Sequence, residues 1–172
     1  YDIGLGIPAE RLFRCSILRP AMRMAALMKL QNIYIFSHDS ISVGEDGPTH
    51  QPIEQLLGLR SLPNFDVFRP ADANEVIGSY KAIFAKESGP SVITLSRNKL
   101  PILECTNANE VEKGGYVVIN PEKKPDAIII SSGEELHQVI EAAKMLKTKG
   151  IELRVVSVPN LGRFMDQTDE YI

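Results

Sequence analysis

The chain is 172 residues long, with 44% hydrophobic and 24% charged residues and a net charge of −3. That balance is the balance of a globular protein, and it excludes the basic footprint of a nucleic-acid binder or of a protein drawn to an anionic membrane. No apolar run approaches the ~20 residues of a membrane span.

The N-terminus, YDIGLGIPAERLFR, has neither a basic start followed by an apolar core nor a small-residue cleavage site, so it does not read as a secretory signal. Pro20 is expected to open a helix, as proline does at a first helical position. Ala21, Met24, Ala25 and Met28 follow at helical spacing. The run Asn32 to Ser37, NIYIFS, predicts a short buried strand. A loop rich in Gly and Pro comes next, SHDSISVGEDGPTHQP, Ser37 to Pro52. A short helix is then expected between Pro52 and Pro63, and a strand over Asp66 to Pro70. Asp72 with Glu75 gives a capping-box start to a helix whose apolar positions are Ile77, Tyr80, Ile83 and Phe84. SVITLS, Ser91 to Ser96, is the third strand. Alternation of strand and helix predicts a parallel sheet flanked by helices.

Residues 98 to 124 change character: scattered charge, a Gly114–Gly115 pair, the short run YVVIN and the polar turn cluster PEKKP. They read as a linker carrying one strand. DAIIISS, a helix from Glu134 to Lys149 capped by Ser132 and Glu135, and IELRVVSVPN repeat the β-α-β order. His137, inside that helix, reads as an exposed residue without a function. The two cysteines, Cys15 and Cys105, are far apart and read as free thiols. The chain starts at Tyr1 without a methionine and stops at DEYI, so it reads as a piece of something longer.

The loop concentrates the chemistry. His38 and His50, two of the three histidines, bracket Asp46, which lies between Gly44 and Gly47. Histidine donates, accepts or shuttles protons near neutral pH. In parallel sheets ligands sit outside the carboxyl ends of strands, where His38 and Arg97 are both expected. The planar fork of arginine matches phosphate oxygens. Together these groups suit a phosphorylated polyol or sugar. Two other readings stay open: a divalent-metal site, for which the gap between the histidines fits no tight ligand motif, and a polar turn loop whose side chains only satisfy backbone. Arg97 could equally be a surface arginine at a strand end, and Glu54 is explained by its place at a helix start.

From LRPAMRMAALMKL through GEDGPTHQP, RPAD and LSR to GPSVITLSRNKLPIL, the sequence resembles the transketolase family, from about Leu18 to near Ile172 and more loosely beyond Leu103. The resemblance implies a thiamine-diphosphate-binding fold of the pyrimidine type, an α/β domain with a mostly parallel sheet, over 18–101. A linker follows over 102–125, and a partial second α/β domain, the start of the C-terminal one, over 126–172. Residues 1–17 form an atypical N-terminal segment. It further implies transfer of a two-carbon ketol unit from a ketose phosphate to an aldose phosphate in the pentose phosphate pathway, with thiamine diphosphate and a divalent metal such as Mg. His50 would be catalytic, assisting proton transfer beside the reacting carbonyl. Asp46 would recognise a donor hydroxyl, and His38 and Arg97 would hold the sugar phosphate. A cytoplasmic homodimer, or a partner chain supplying the cofactor domain, is implied as well.

The departures are specific. The metal- and pyrophosphate-binding domain and the glutamate that activates the cofactor do not occur in the chain. The aromatic residues that back the cofactor ring are replaced by RLFRCSI, with only Phe13 aromatic. The expectation is a transketolase fragment without ketol transfer of its own, exposing apolar surface meant for burial. The alternatives are a non-catalytic module that binds a sugar phosphate or a subunit, and one chain of a split thiamine-dependent enzyme.

Overall fold

Four short parallel strands carry the first half of the chain in the computed structural model, which describes residues 9–172. They are β1 (Ala9–Arg11), β2 (Ile33–Ser37), β3 (Asp66–Phe68) and β4 (Ser91–Leu95), in the order β1-β2-β4-β3. The central pair reads as it should for a sheet buried on both faces, with almost continuous burial along β2 and β4. Register places Arg11 beside Ser37 and Ser37 beside Leu95, so three strand ends share one edge. The described part of the N-terminal segment set apart above therefore contributes an edge strand; residues 1–8 lie outside the described residues.

Helix α1 spans Cys15–Leu27 and encloses Pro20 rather than starting at it. Burial of Leu12 and Cys15 in the core with Met22 outweighs the backbone bond that proline cannot make. The buried stripe of α1 is Cys15, Met22, Ala25 and Ala26, whereas Met24 and Met28, on the expected stripe, are exposed. Helix α2, Gln55–Arg60, adds Leu59 to the same core, which packs on Tyr34, Phe36, Val67 and Val92 of the sheet.

By contacts the chain divides into two units: described residues up to Phe68 with Ile83–Lys99, and Arg69–Ala82 with Leu100–Ile172. The second has its own sheet, β5 (Tyr116–Ile119), β7 (Leu153–Ser157) and β6 (Ala127–Ser131), ordered β5-β7-β6. β6 and β7 are parallel across helix α4 (Glu135–Lys147), as the β-α-β reading requires, while β5 runs antiparallel to β7. The stretch 102–125, expected as a linker, belongs to this unit through β5 and through Leu103 and Cys105 in its core. A short helix α5, Leu161–Met165, follows, with Asn160 accepting from the Arg163 amide as its cap.

Most of helix α3, Ala73–Phe84, also belongs to the second unit. Asp72 caps it by accepting from the Glu75 amide at 3.0 Å. Glu75 itself turns inward instead of closing the capping box. Its carboxylate accepts from the Ala71 amide (2.7 Å), the Tyr116 hydroxyl (2.9 Å) and the Ser157 hydroxyl (2.5 Å). Burial pushes its pKa up, against those bonds. The second capping box does not form either: Glu135 pairs with Arg69 at 2.7 Å, and α4 starts without a side-chain cap. His137 is half-buried, not exposed, with Nε2 against the Ala71 carbonyl at 2.9 Å.

Candidate functional site at the carboxyl edge of the first sheet

The site is built on strand ends. His38 follows β2 directly and takes a left-handed φ of 60°, which turns the chain out of the sheet. Its Nδ1 is 2.9 Å from the Ser37 hydroxyl, which leaves Nε2 for a ligand. Burial lowers the His38 pKa, the charges of Arg11 and Arg97 lower it further, and Asp46 and Asp39 oppose them. His38 is thus more readily neutral than an ordinary histidine at neutral pH.

The loop after it is a kinked turn of 3-10 helix over Ile41–Asp46, anchored by the buried Val43. Gly44 (φ 75°, ψ −117°) and Gly47 (φ 72°) take conformations that side-chain-bearing residues avoid. Gln51 Nε2 donates to the Ile41 and Gly44 carbonyls, both at 3.2 Å, and so ties the loop to its own far end. Arg97, two residues past β4, donates from Nη1 to the Val43 carbonyl at 2.9 Å. Its guanidinium therefore lies over the loop, on the His38 side of the sheet edge, with most of its fork uncommitted.

Asp46 does not stand free. Its Oδ2 accepts from Arg11 Nη1 at 3.1 Å, and the pair is partly exposed. His50 has neighbours of its own: Nδ1 is 2.9 Å from the Thr49 hydroxyl, and the ring centroid lies 4.3 Å from that of Phe13. Both rim imidazoles thus have Nδ1 tied to the preceding residue's hydroxyl and Nε2 left open.

The fold brings His38, Asp46 and Arg97 to one edge, with His50 beside them on the Phe13 side. It adds Arg11, Phe13 and Ser37, which sequence reasoning did not select. Ser37 was within reach, being part of the strand and the loop at once. Arg11 was not, because AER is too short for any periodicity to reveal a strand; Phe13 stands out in the sequence only as the one aromatic residue of RLFRCSI, not as a neighbour of His50. Among the described residues no group of three or more His, Cys, Asp or Glu side chains is placed to hold a metal ion.

Known proteins share this architecture. Residues 12–102 match the family model for the transketolase pyrimidine binding domain. The chain belongs to the transketolase family. Residues 114–172 match the transketolase-like C-terminal domain. The family match starts inside the N-terminal segment, six residues before Leu18, where the resemblance described above begins. Transketolase from Bacillus subtilis (strain 168) is 47% identical over 158 residues, covering 90% of this chain and 24% of the relative. A mutant transketolase from Pichia stipitis, solved with fructose 6-phosphate, superposes with a TM-score of 0.90 at 39% identity, over 96% of this chain and 24% of its own. A split-gene transketolase, described as an inactive beta4 tetramer, superposes with a TM-score of 0.74 at 31% identity, over 91% of this chain and 49% of its own. The chain thus spans about a quarter of the whole transketolases it matches. No helix among the described residues is long and apolar enough to cross a membrane.

Proposed function

We infer that this chain is the substrate-holding part of a transketolase and grips a sugar phosphate at the carboxyl edge of its first sheet. The observation that carries the reading is the register that aligns Arg11, Ser37 and Leu95, with His38 and Arg97 leaving that edge on the same side. Arg97 and the Nε2 of His38 supply the phosphate contacts, a fork and a neutral donor. His50, with Nε2 open, exchanges a proton at a sugar oxygen, and Asp46 reads a hydroxyl. In the whole enzyme these groups serve transfer of a two-carbon ketol unit from a ketose phosphate to an aldose phosphate, in a cytoplasmic, dimeric protein of the pentose phosphate pathway. Residues 18–101 act as the pyrimidine-binding domain and 126–172 as the opening of the C-terminal one.

Thiamine diphosphate, which the family implies, does not fit the residues described. The segment that by resemblance backs its ring presents Arg11 and Arg14. The one aromatic residue there, Phe13, is already in tilted contact with the His50 ring, 51° between planes, and faced by the Arg14 guanidinium at 5.7 Å. Arg11 and Arg14 are each paired with a carboxylate, Asp46 and Glu10, so the misfit lies in the aromatic platform: the segment offers one ring, already in contact with His50 and Arg14. Ligands for the divalent metal would have to come from outside the described residues. We therefore assign the isolated chain binding without turnover.

Calorimetry tests this. A pentose phosphate should bind the wild-type chain, and Arg97→Ala should weaken it about tenfold or more, as loss of a charge-assisted contact does, with no product formed from xylulose 5-phosphate and ribose 5-phosphate. Turnover by the isolated chain, or equal binding by the variant, contradicts the reading. The split-gene neighbour favours a second one, in which a partner chain completes the enzyme. Titrating such a partner in would restore activity, and His50→Ala would then lower turnover.

A further inference from the structure

Both rim histidines repeat one arrangement. Ser37 precedes His38 and Thr49 precedes His50, and each hydroxyl lies 2.9 Å from the Nδ1 of the ring that follows it. The backbone settings differ. Ser37 ends β2 and His38 takes the left-handed φ of 60°, whereas His50 closes a turn by donating its amide to the Gly47 carbonyl at 3.1 Å. Among the described residues neither Nδ1 has a carbonyl or carboxylate partner. The kind of partner decides what the far nitrogen can do. A carbonyl or carboxylate only accepts, so it holds the proton on Nδ1 and leaves Nε2 an acceptor. A hydroxyl both donates and accepts. Where it donates to Nδ1, Nε2 carries the proton and meets a ligand as a donor; where it accepts, Nε2 is the base. The two rings face opposite demands. Phosphate oxygens accept, so His38 serves them with N–H at Nε2, whereas His50 takes a proton only on a bare Nε2.

We propose that Ser37 and Thr49 are positioning residues that set the tautomers of the rim in opposite senses. Ser37 donates to Nδ1 of His38 and so aims an N–H from Nε2 at the phosphate. Thr49 accepts from Nδ1 of His50 and so keeps its Nε2 free to take a proton at a sugar oxygen. The proposal rests on the sugar-phosphate reading above and adds the groups that orient its two imidazoles.

Long-range proton–nitrogen NMR of the chain carrying isotope-labelled histidine reads the tautomer of each ring directly. The measurement is made at about pH 8, above the ordinary histidine pKa, with inorganic phosphate as the probe. In the wild type, phosphate should bring His38 to the form protonated on Nε2, while His50 stays protonated on Nδ1 throughout. Ser37→Ala should lose that bias at His38 and weaken phosphate roughly two- to tenfold, the range of one hydrogen bond, and Ser37→Thr should restore both. Thr49→Val should move His50 away from its Nδ1-protonated form and leave phosphate affinity unchanged. His38 protonated on Nδ1 with phosphate bound, or His50 protonated on Nε2 in the wild type, overturns this inference alone. So does either hydroxyl-free variant whose ring keeps its wild-type tautomer. Failure of Arg97 and His38 to respond to phosphate in the wild type overturns the sugar-phosphate reading and this inference with it.

Discussion

Glu75 and Cys15 show how burial decides what a titratable side chain can do in this chain. Glu75 is wholly buried with three donors on its carboxyl and no cation, and burial raises its pKa above the ordinary 4.5. The folded state therefore holds its proton to higher pH than the unfolded state. The stability this gives is complete below about pH 4.5 and is lost as pH rises through the folded value. Urea denaturation from pH 4 to 7.5 should show the wild type losing its advantage over Glu75→Gln as pH rises; a difference independent of pH would refute the assignment. Cys15 is pushed up to about 11 by burial, with Arg19 opposing and Glu54 assisting. At pH 8 roughly one thiol in a thousand is ionised, so alkylation by iodoacetamide should be slow in the native chain and fast in urea. Rapid native labelling at Cys15 would mean that its pocket opens. At the rim, the two imidazoles stand out in the sequence because histidine is rare in this chain, and the arginine because it falls at the carboxyl end of a strand. The ion pair on Asp46 could not, since its other half comes from a strand that has no pattern.

The strands and helices themselves were largely legible; their faces were not. Each predicted strand is present within two or three residues at either end, because short β-branched runs between turn residues leave little choice. The helices failed in a more instructive way. On α3 the apolar positions Ile77 and Phe84 are exposed, and the buried face is Glu75, Gly78, Ser79, Ala82 and Ile83. Close approach explains this: a Cβ on Gly78 would lie 2.5 Å from the Ala108 carbonyl and 2.6 Å from Val111. Small and polar residues there permit backbone contact and a buried hydrogen-bond network, which hydrophobic periodicity does not see. Gly78→Ala should accordingly destabilise the chain by about 1–3 kcal/mol despite the better helix propensity of alanine. Thermal denaturation reads this directly, and an unchanged or raised Tm would mean that the 105–113 segment yields easily. The motif RPAD is structural on the same grounds. Arg69 binds the Ser132 carbonyl and Glu135, and Asp72 holds the Leu103 amide and the Thr106 hydroxyl.

Taken whole, the chain is a quarter of its relatives' length, and its surface reflects that. Val117, Ile128 and Ile130 on the second sheet are 47%, 56% and 62% exposed beside Phe164 and Tyr171. Apolar surface of this kind promotes association, so sedimentation at rising concentration should show self-association that Ile130→Lys reduces; a wild type that stays monomeric at high concentration would argue otherwise. The family and fold were readable because GEDGPTHQP, RPAD and LSR occur in fixed order. The edge they converge on required the register of β1, β2 and β4. The account turns on that edge gripping a phosphate, and the His38 imidazole reports it. Followed by NMR, its pKa should start below the ordinary histidine value, rise when inorganic phosphate is added, and cease to respond to phosphate in Arg97→Ala. A His38 titration curve that is the same with and without phosphate would contradict the account.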